Sequence, residues 1–375
     1  MALLTYLTTA HFDFGAVARI PKEMARVGTK RPLIVTDKGL VKAGILERVT
    51  DQIESGADLP VYDDTPANPT ERAVMAAFEK YTALGCDGVI ALGGGSSMDL
   101  GKAVALLAGS GGPLEKFDPA QKGTRNMVAV APVIAVPTTS GTGSEVSVGI
   151  IVVMDDGRKA TFAGPKLIPA SAICDPGLTL GLPPLLTAAT GMDALTHCIE
   201  AFLSPNTNPP ADGVALDGLW RGWRALRRAV EDGSDREARW DMMMASTEGA
   251  LAFIKGLGAV HSMSHAAGRL PDLNLHHGTL NAVLLPAVLR FNEAGQEPRY
   301  DRLRAAMDLA PGADLAREIE EYNQALGLPR TLTEMGLTED RLADLVPYAV
   351  SDLATRTNPK PVSAAEFEAL YKASF

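Results

Sequence analysis

Short apolar runs alternate with helical patterns along the first half of the chain. Runs within 31–39, 87–92 and 133–137 are almost continuously apolar, which is typical of strands buried on both faces of a parallel sheet. Between and beside them, the spacing of apolar residues predicts helices at 16–28, 40–54, 70–84 and 99–109. Weaker strand patterns lie at 3–14, 60–63, 148–154, 160–163 and 172–174. This order predicts an α/β unit built around a parallel sheet.

The pattern changes after Pro183 and Pro184. Strand-like runs almost disappear, and helical patterns follow one another to the end of the chain. They lie near 185–203, 211–231, 236–254, 259–268, 278–293, 298–309, 314–326, 339–350 and 364–372. We therefore predict an α/β domain over residues 1–184 and an all-helical domain over residues 185–375.

Charge and composition exclude several classes of partner. The formal net charge is -10 and no block of Lys or Arg stands out, so nucleic acid and anionic membranes are poor candidates. The N-terminus lacks a basic segment followed by an apolar one, and no run of about 18 apolar residues exists. The three cysteines are widely spaced, which suits reduced thiols and predicts a cytoplasmic protein.

Glycine-rich and hydroxyl-rich segments follow the predicted strands. Residues 93–97 (GGGSS) lie between a strand and a helix, where a helix N-terminus offers free N–H groups to a phosphate. Residues 138–144 follow the next strand, and ligands of open α/β sheets bind at the carboxyl ends of strands. Asp37 ends an earlier strand and could accept from the hydroxyls of an adenosine ribose. Tight turns explain the same residues equally well from local sequence alone.

Five of the six histidines fall between residues 197 and 277. Asp193 and His197 are four residues apart, as are His261 and His265, so each pair lies on one helix face. A carboxylate and imidazoles clustered among small apolar residues favour a site for a divalent metal, because buried ionisable groups need partners. A single Asp–His pair of this spacing is more often only a solvated helix pair.

With these segments together, the chain resembles the iron-dependent (group III) alcohol dehydrogenase family along nearly its whole length. The motifs that carry the resemblance are Asp37, Gly93–Ser96, Pro137–Thr142, Asp175-Pro176, Gly191–Glu200, Gly256–His261 with His265, and His277-Gly278. The resemblance implies a Rossmann-like dinucleotide-binding domain followed by an all-helical, dehydroquinate synthase-like metal domain. It implies Fe²⁺, or Zn²⁺ in some members, as the metal, and NAD as the dinucleotide.

The resemblance also implies roles for individual residues. The metal ligands would be Asp193, His197, His261 and His277, and His265 would relay the proton. The positions that would line the dinucleotide are Asp37, Asn68, Gly94, Gly95, Ser96, Ser97, Asp99, Thr138, Thr139, Thr142 and Lys159. His276 receives no role, and His11 is expected to be structural.

The chemistry of these residue types agrees with that implication. Three imidazoles and one carboxylate suit a borderline divalent cation and leave a position for a substrate hydroxyl, whose pKa falls there. Hydride then passes to the nicotinamide, and His265, one turn from His261, is placed to carry the proton away.

The substrate is the least determined feature. Within the family the chain most resembles 4-hydroxybutyrate dehydrogenases, on segments 6–8, 13–15, 208–213, 253–258, 275–282 and 357–360. Lys255 and Arg269 are candidates to hold a substrate carboxylate, although Lys255 could equally be a solvated lysine at a helix end. Segment 268–274 departs from that subfamily, so 3-hydroxypropionate and uncharged short alcohols or diols stay open.

Two other classes of function fit the sequence less well. A non-redox metal enzyme of the dehydroquinate synthase type would need more Lys and Arg near the histidines to bind a phosphorylated substrate. A non-catalytic binding protein would not need both a dinucleotide site and a metal site with a spare histidine. The family resemblance favours a homodimer or a higher even oligomer.

Overall fold

The computed structural model describes residues 8–118, 122–270, 272–273 and 275–375. Part of the strand predicted at 3–14, the motif residues Tyr6 and Leu7, and Pro271 and Asn274 of segment 268–274 lie outside the described residues. The chain divides into two compact units, one formed by residues 8–139 and 143–179 and the other by residues 140–142 and 180–375.

The first unit is built on a parallel sheet. Its strands are β1 (Thr9–Phe12), β2 (Pro32–Val35), β3 (Val61–Tyr62), β4 (Gly88–Gly93), β5 (Val133–Pro137), β6 (Gly149–Val153), β7 (Lys159–Ala163) and β8 (Ser171–Cys174). Six of them pair in the order β1-β8-β5-β4-β2-β3, all parallel, while β6 and β7 form an antiparallel hairpin. The helices of this unit are α1 (Ile20–Val27), α2 (Lys38–Lys42), α3 (Ile45–Thr50), α4 (Glu71–Ala83) and α5 (Gly95–Ser110).

The apolar strand runs are explained by two separate cores. Alternate residues point to opposite faces of a strand, and Val89 and Ala91 of β4 belong to one apolar cluster. Ile90 and Leu92 belong to the other cluster, on the opposite face of the sheet. Both faces are therefore covered, which confirms the predicted parallel α/β unit.

Two predicted helices differ from those observed. The single helix expected at 40–54 is two, α2 and α3, because Gly44 between them has a positive φ of 72°. The helix expected at 99–109 begins earlier, at Gly95, with Gly94 as its N-cap in an extended conformation. Gly95, Ser96 and Ser97 thus lie in the first turn of α5 instead of in a loop before it.

The second unit is helical throughout its described part. Its helices are α6 (Pro184–Leu203), α7 (Pro209–Glu231), α8 (Arg236–Ala252), α9 (Ala259–Ala267), α10 (His277–Asn292), α11 (Glu297–Ala306), α12 (Leu315–Ala325), α13 (Leu342–Ser351) and α14 (Ala364–Lys372). Helix α6 is buried from Thr187 to Leu203. Its Gly191 allows this, since a Cβ there would lie 2.2 Å from Leu226 of α7.

None of the helices in the described ranges combines the length and apolar character needed to cross a membrane.

Candidate metal centre and dinucleotide-binding edge

Four side chains from three helices converge in the helical unit. The Nε2 atoms of His197 and His261 each lie 3.7 Å from Oδ1 of Asp193, and Nε2 of His277 lies 3.5 Å from the same oxygen. The ligand atoms of Asp193, His197 and His261 all lie within 4.8 Å of one another, and the three residues are buried. The structure therefore brings together all four residues expected to hold a metal.

Contacts of the other ring nitrogen, Nδ1, orient the imidazoles of His261 and His197. The Nδ1 atom of His261 lies 2.6 Å from Oε2 of Glu200, a carboxylate that also accepts hydrogen bonds from the backbone N–H groups of Gly258 and Val260. The Nδ1 atom of His197 lies 3.2 Å from the carbonyl oxygen of Gly141. With Nδ1 engaged in both rings, each Nε2 is directed at Asp193, as metal-binding histidines require.

Asn281, which sequence reasoning did not single out, belongs to this cluster. Its Nδ2 donates to Oδ1 of Asp193 at 2.7 Å and lies 3.3 Å from Nε2 of both His261 and His277. Its Oδ1 is buried and has no hydrogen-bond partner among the described residues. A buried oxygen without a donor beside a carboxylate and imidazoles fits a cation, because a cation would complete the polar contacts of the cluster.

The charges of the cluster shift the pKa values of its members in opposite directions. Burial alone would raise the pKa of Asp193, but the facing imidazoles of His197, His277 and His261 hold it well below its usual range. Burial lowers the pKa of His197 to about 4, which keeps its imidazole neutral and able to bind a metal. Burial would also lower the pKa of His261, but hydrogen bonds to Asp193 and Glu200 raise it to about 9.

His265 lies beside the cluster and does not face Asp193. Its ring stacks on that of His277 with centroids 5.3 Å apart, and its centroid is 5.8 Å from that of His261. Its Nδ1 lies 3.0 Å from Oδ2 of Asp352, which leaves Nε2 as the ring atom able to exchange a proton. Asp352 is 87 residues away in sequence, so no spacing pattern could have identified it.

In the α/β unit, the predicted dinucleotide residues follow adjacent strands. β2, β4 and β5 are neighbours, with Val35 opposite Ala91 and Gly93 opposite Pro137, so their carboxyl ends share one edge of the sheet. Along this edge lie Asp37 after β2, Gly94 to Ser97 after β4, and Thr138 and Thr139 after β5. Thr142 belongs to the other unit.

The turn after β4 exposes backbone. Gly93 has a φ of 152°, and a Cβ there would lie 2.6 Å from Oγ of Ser97, so only glycine fits. A Cβ on Gly94 would meet only Thr139, at 3.3 Å. The backbone N–H groups of the first turn of α5 are thus accessible to a phosphate, as a dinucleotide site requires.

The other candidates at this edge have contacts of their own. Asp37 caps α2 by accepting from the backbone N–H of Leu40 at 3.0 Å, and Lys159 Nζ donates to Asn68 Oδ1 at 3.1 Å. Ser96 Oγ donates to the carbonyl oxygen of Ala67. These pairs hold the edge together and leave parts of each half-buried side chain accessible.

Asp99 has a structural position. Its Oδ1 accepts from Oγ of Ser144 at 2.7 Å and its Oδ2 from the backbone N–H of Ile151 at 2.9 Å. Burial raises its pKa, and the fully buried Lys102 nearby donates to the carbonyl oxygens of Ser144 and Gly149. Both carboxylate oxygens of Asp99 thus support Ser144 and β6, which leaves them less able to contact a dinucleotide, the role predicted for Asp99.

Lys255 and Arg269, the two candidates for a substrate carboxylate, differ sharply. Lys255 is buried, and its Nζ donates to Asp212 and, at 2.8 Å, to the carbonyl oxygen of Phe202. A lysine paired with a carboxylate in the core has little charge to offer a substrate, which disfavours the anchor role predicted for Lys255. Arg269 is half-buried and forms no salt bridge in the described part of the chain; its guanidinium carbon lies 3.3 Å from the ring centroid of Tyr348.

The two remaining histidines lie outside the cluster. His276 is exposed at the N-cap of α10, with its Nδ1 3.4 Å from Oγ1 of Thr279. His11 is in the α/β unit, where its Nε2 lies 2.9 Å from Oε1 of the buried Glu23. This contact agrees with the structural role expected for His11.

Comparison with known proteins gives a consistent picture. Residues 8–176 match the family model described as iron-containing alcohol dehydrogenase, and residues 187–375 match the C-terminal model of the Fe-containing alcohol dehydrogenase family. The 4-hydroxybutyrate dehydrogenase of Cupriavidus necator is 52% identical over 100% of both chains. A crystal structure of 1,3-propanediol oxidoreductase superposes with a TM-score of 0.92 at 30% identity, over 100% of both chains. The sulfoacetaldehyde reductase of Bifidobacterium kashiwanohense, solved in complex with NAD⁺, gives a TM-score of 0.89 at 28% identity, covering 100% of this chain and 99% of that one.

Proposed function

The chain belongs to the iron-containing alcohol dehydrogenase family, and we propose that it oxidises 4-hydroxybutyrate to succinate semialdehyde with NAD as the hydride acceptor. The observation that carries this proposal is the 52% identity to a 4-hydroxybutyrate dehydrogenase over the full length of both chains. Membership of this family also sets aside the non-redox and non-catalytic alternatives.

The proposal divides the work between two parts of the chain. We assign residues 1–184 to dinucleotide binding, through the exposed backbone of Gly94 and Gly95 and the hydroxyls at the same sheet edge. We assign residues 185–375 to metal binding and catalysis, through Asp193, His197, His261 and His277. Asp37 at the end of β2 would select NAD over NADP, because its carboxylate would repel a 2′-phosphate.

The residues of the chain supply placement and proton transfer. Asp193, His197, His261 and His277 would hold a divalent cation that would lower the pKa of the substrate hydroxyl, and the sheet edge would hold the NAD that would accept the hydride. Asp352 holds Nδ1 of His265, so that the Nε2 atom takes the hydroxyl proton and passes it on. The near-complete burial of Asp193, His197 and His261 keeps water from competing with these contacts.

Several finer points belong to the same proposal. We propose Fe²⁺ as the metal, with Zn²⁺ as the alternative, because imidazole and carboxylate donors suit both. All three cysteines are free thiols, which supports a cytoplasmic location. A homodimer or higher even oligomer is expected from the family, and light scattering of the purified protein would measure it.

The test is NADH formation by protein loaded anaerobically with Fe²⁺ and, separately, with Zn²⁺. The substrates are 4-hydroxybutyrate, 3-hydroxypropionate, 1-butanol and 1,2-propanediol. A higher kcat/KM for 4-hydroxybutyrate than for the other three is the expected result. Equal or higher values for the uncharged alcohols would overturn the proposed substrate, and no turnover of any alcohol with either metal would overturn the proposed activity.

A further inference from the structure

Helices α9 and α13 meet along an antiparallel seam of paired side chains. Oγ of Ser262 and Oγ1 of Thr355 are 2.7 Å apart, and His265 pairs with Asp352. Arg269 follows the end of α9, four residues after His265, and its guanidinium stacks on Tyr348. Tyr348 lies on α13, four residues before Asp352. The stacked guanidinium thus lies on the same seam as the proposed proton relay, as the next pair along it.

The guanidinium of Arg269 has donors that the protein does not use. Its Nε is buried and has no hydrogen-bond partner in the described part of the chain. One terminal nitrogen lies 3.5 Å from the carbonyl oxygen of Asp344, the outer limit of a hydrogen bond. Arg341, in contrast, directs two nitrogens at the carboxylate of Asp272.

Buried donors without partners are costly, so a side chain held in this state indicates a ligand that completes them. A carboxylate matches the planar fork of a guanidinium with two parallel hydrogen bonds. The stack on Tyr348 fixes the plane of the fork, which reduces the entropy lost on binding.

We propose that Arg269 binds the carboxylate of an ω-hydroxy acid and determines the preference for this class over uncharged alcohols. The inference rests on the proposed function. An extended four-carbon hydroxy acid spans about 5 Å between its hydroxyl and its carboxyl carbon, close to the rise of one helical turn. Its hydroxyl would lie at Nε2 of His265 while its carboxylate lies at Arg269. Tyr348 and Leu353 are partly exposed and would offer apolar surface to the methylene groups.

The experiment compares 4-hydroxybutyrate with 1-butanol, which has the same number of carbons and no charge. The variants are Arg269→Gln, which keeps the apolar stem and a polar end without the charge, and Arg269→Lys, which keeps the charge without the fork. Arg290→Gln is the matched control, since Arg290 is half-exposed and pairs with Glu320 on the surface. Unfolding temperature and metal content are measured for all of them, and butyrate is tested as an inhibitor of 1-butanol oxidation.

We expect Arg269→Gln to lower kcat/KM for 4-hydroxybutyrate about 10- to 100-fold, the range for losing a hydrogen bond to a charged group. Oxidation of 1-butanol should stay within about 3-fold of the wild type, because the methylene chain and hydroxyl keep their contacts. The kcat/KM of Arg269→Lys for 4-hydroxybutyrate should lie between that of the wild type and that of Arg269→Gln. Inhibition by butyrate should be lost in Arg269→Gln. Equal losses on both substrates, or no loss on 4-hydroxybutyrate, would overturn the anchor role.

Failure of the proposed substrate is distinguishable from failure of the anchor. A wild-type enzyme that oxidises 1-butanol and not 4-hydroxybutyrate would overturn the substrate. In that case, inhibition by butyrate that depends on Arg269 would still support a carboxylate site at Arg269. Absence of such inhibition would overturn the carboxylate site. If no alcohol is oxidised, direct calorimetric titration with butyrate decides the same question by the difference between wild type and Arg269→Gln.

Discussion

The Nδ1 atom of His265 and the Oδ2 atom of Asp352 lie 3.0 Å apart, in a pair of side chains that are both less than one-fifth exposed. Burial would raise the pKa of Asp352, but the facing imidazole of His265 holds it below its usual range. The carboxylate is therefore ionised and fixes both the tautomer and the rotation of the ring. Asp352, the C-cap of α13, thus links this helix to the proposed proton transfer.

Replacing Asp352 with Asn should lower kcat for 4-hydroxybutyrate about 10- to 100-fold, because the ring loses the negative charge that fixes its tautomer and stabilises it when it takes up a proton. KM and metal content should change little, since neither the metal cluster nor the proposed carboxylate site is altered. Asp352→Glu should recover part of kcat, because it restores a carboxylate. An equal fall of kcat in both variants, together with lost metal, would indicate a purely structural role.

How much of this site the sequence could predict depends on the distance between partners along the chain. Asp193 and His197 share a helix face, so their pairing is readable from a spacing of four. Glu200 contacts His261, which is 61 residues away along the chain, and Asn281 contacts Asp193, which is 88 residues away. Only the packing of α6, α9 and α10 brings these partners together. The pairing of Lys255 with Asp212 could not be read from the sequence either, because the two residues are 43 positions apart.

Removing the imidazole of His277 should abolish metal retention, because it deletes one of the four converging ligands. The measurement is metal content after dialysis of the His277→Ala protein, by atomic emission. His276→Ala is a matched control, since that histidine is adjacent in sequence, exposed and directed at Thr279. Normal metal content in His277→Ala would remove this residue from the ligand set.

Cofactor preference should respond to Asp37. Because Asp37 also caps α2, the informative change is Asp37→Ser, which keeps an oxygen for the N–H of Leu40 and removes the charge. The ratio of kcat/KM for NAD to that for NADP should fall about 10-fold or more, since repulsion of the 2′-phosphate is lost. Asp64→Asn serves as the control, an exposed acid near the same edge that pairs with Lys38. A ratio that stays at the wild-type value would place Asp37 in the cap alone.

Replacing Lys255 with Met should destabilise the protein without changing substrate preference. The ammonium is buried against Asp212 and Phe202, and removing one partner of such a pair typically costs about 3–5 kcal/mol of unfolding free energy. Urea denaturation would measure this, with Lys372→Met, an exposed lysine paired with Glu368, as the control. A selective rise of KM for hydroxy acids would instead restore Lys255 as a substrate residue.

Glu248 of α8 lies beside Asp217, Asp241 and Arg221 in the helical unit. Burial raises the pKa of Glu248 to about 8, and a hydrogen bond to Asp217 and repulsion from its charge act in the same direction. Arg221 opposes this rise, since its Nε lies 3.8 Å from Oε2 of Glu248. A carboxyl whose folded pKa exceeds its unfolded value of 4.5 stabilises the fold while protonated. That contribution is complete below the unfolded pKa and is lost as the pH rises through about 8.

Glu248→Gln imitates the protonated state, so its unfolding free energy should be flatter between pH 5 and pH 9, about where the wild type loses stability. At the upper end the variant should be more stable than the wild type by about 1–2 kcal/mol. Glu237→Gln, an exposed change on the same helix, should keep the wild-type dependence. Parallel stability curves for wild type and Glu248→Gln would mean that Glu248 is ionised throughout this range and that Arg221 compensates its charge in full.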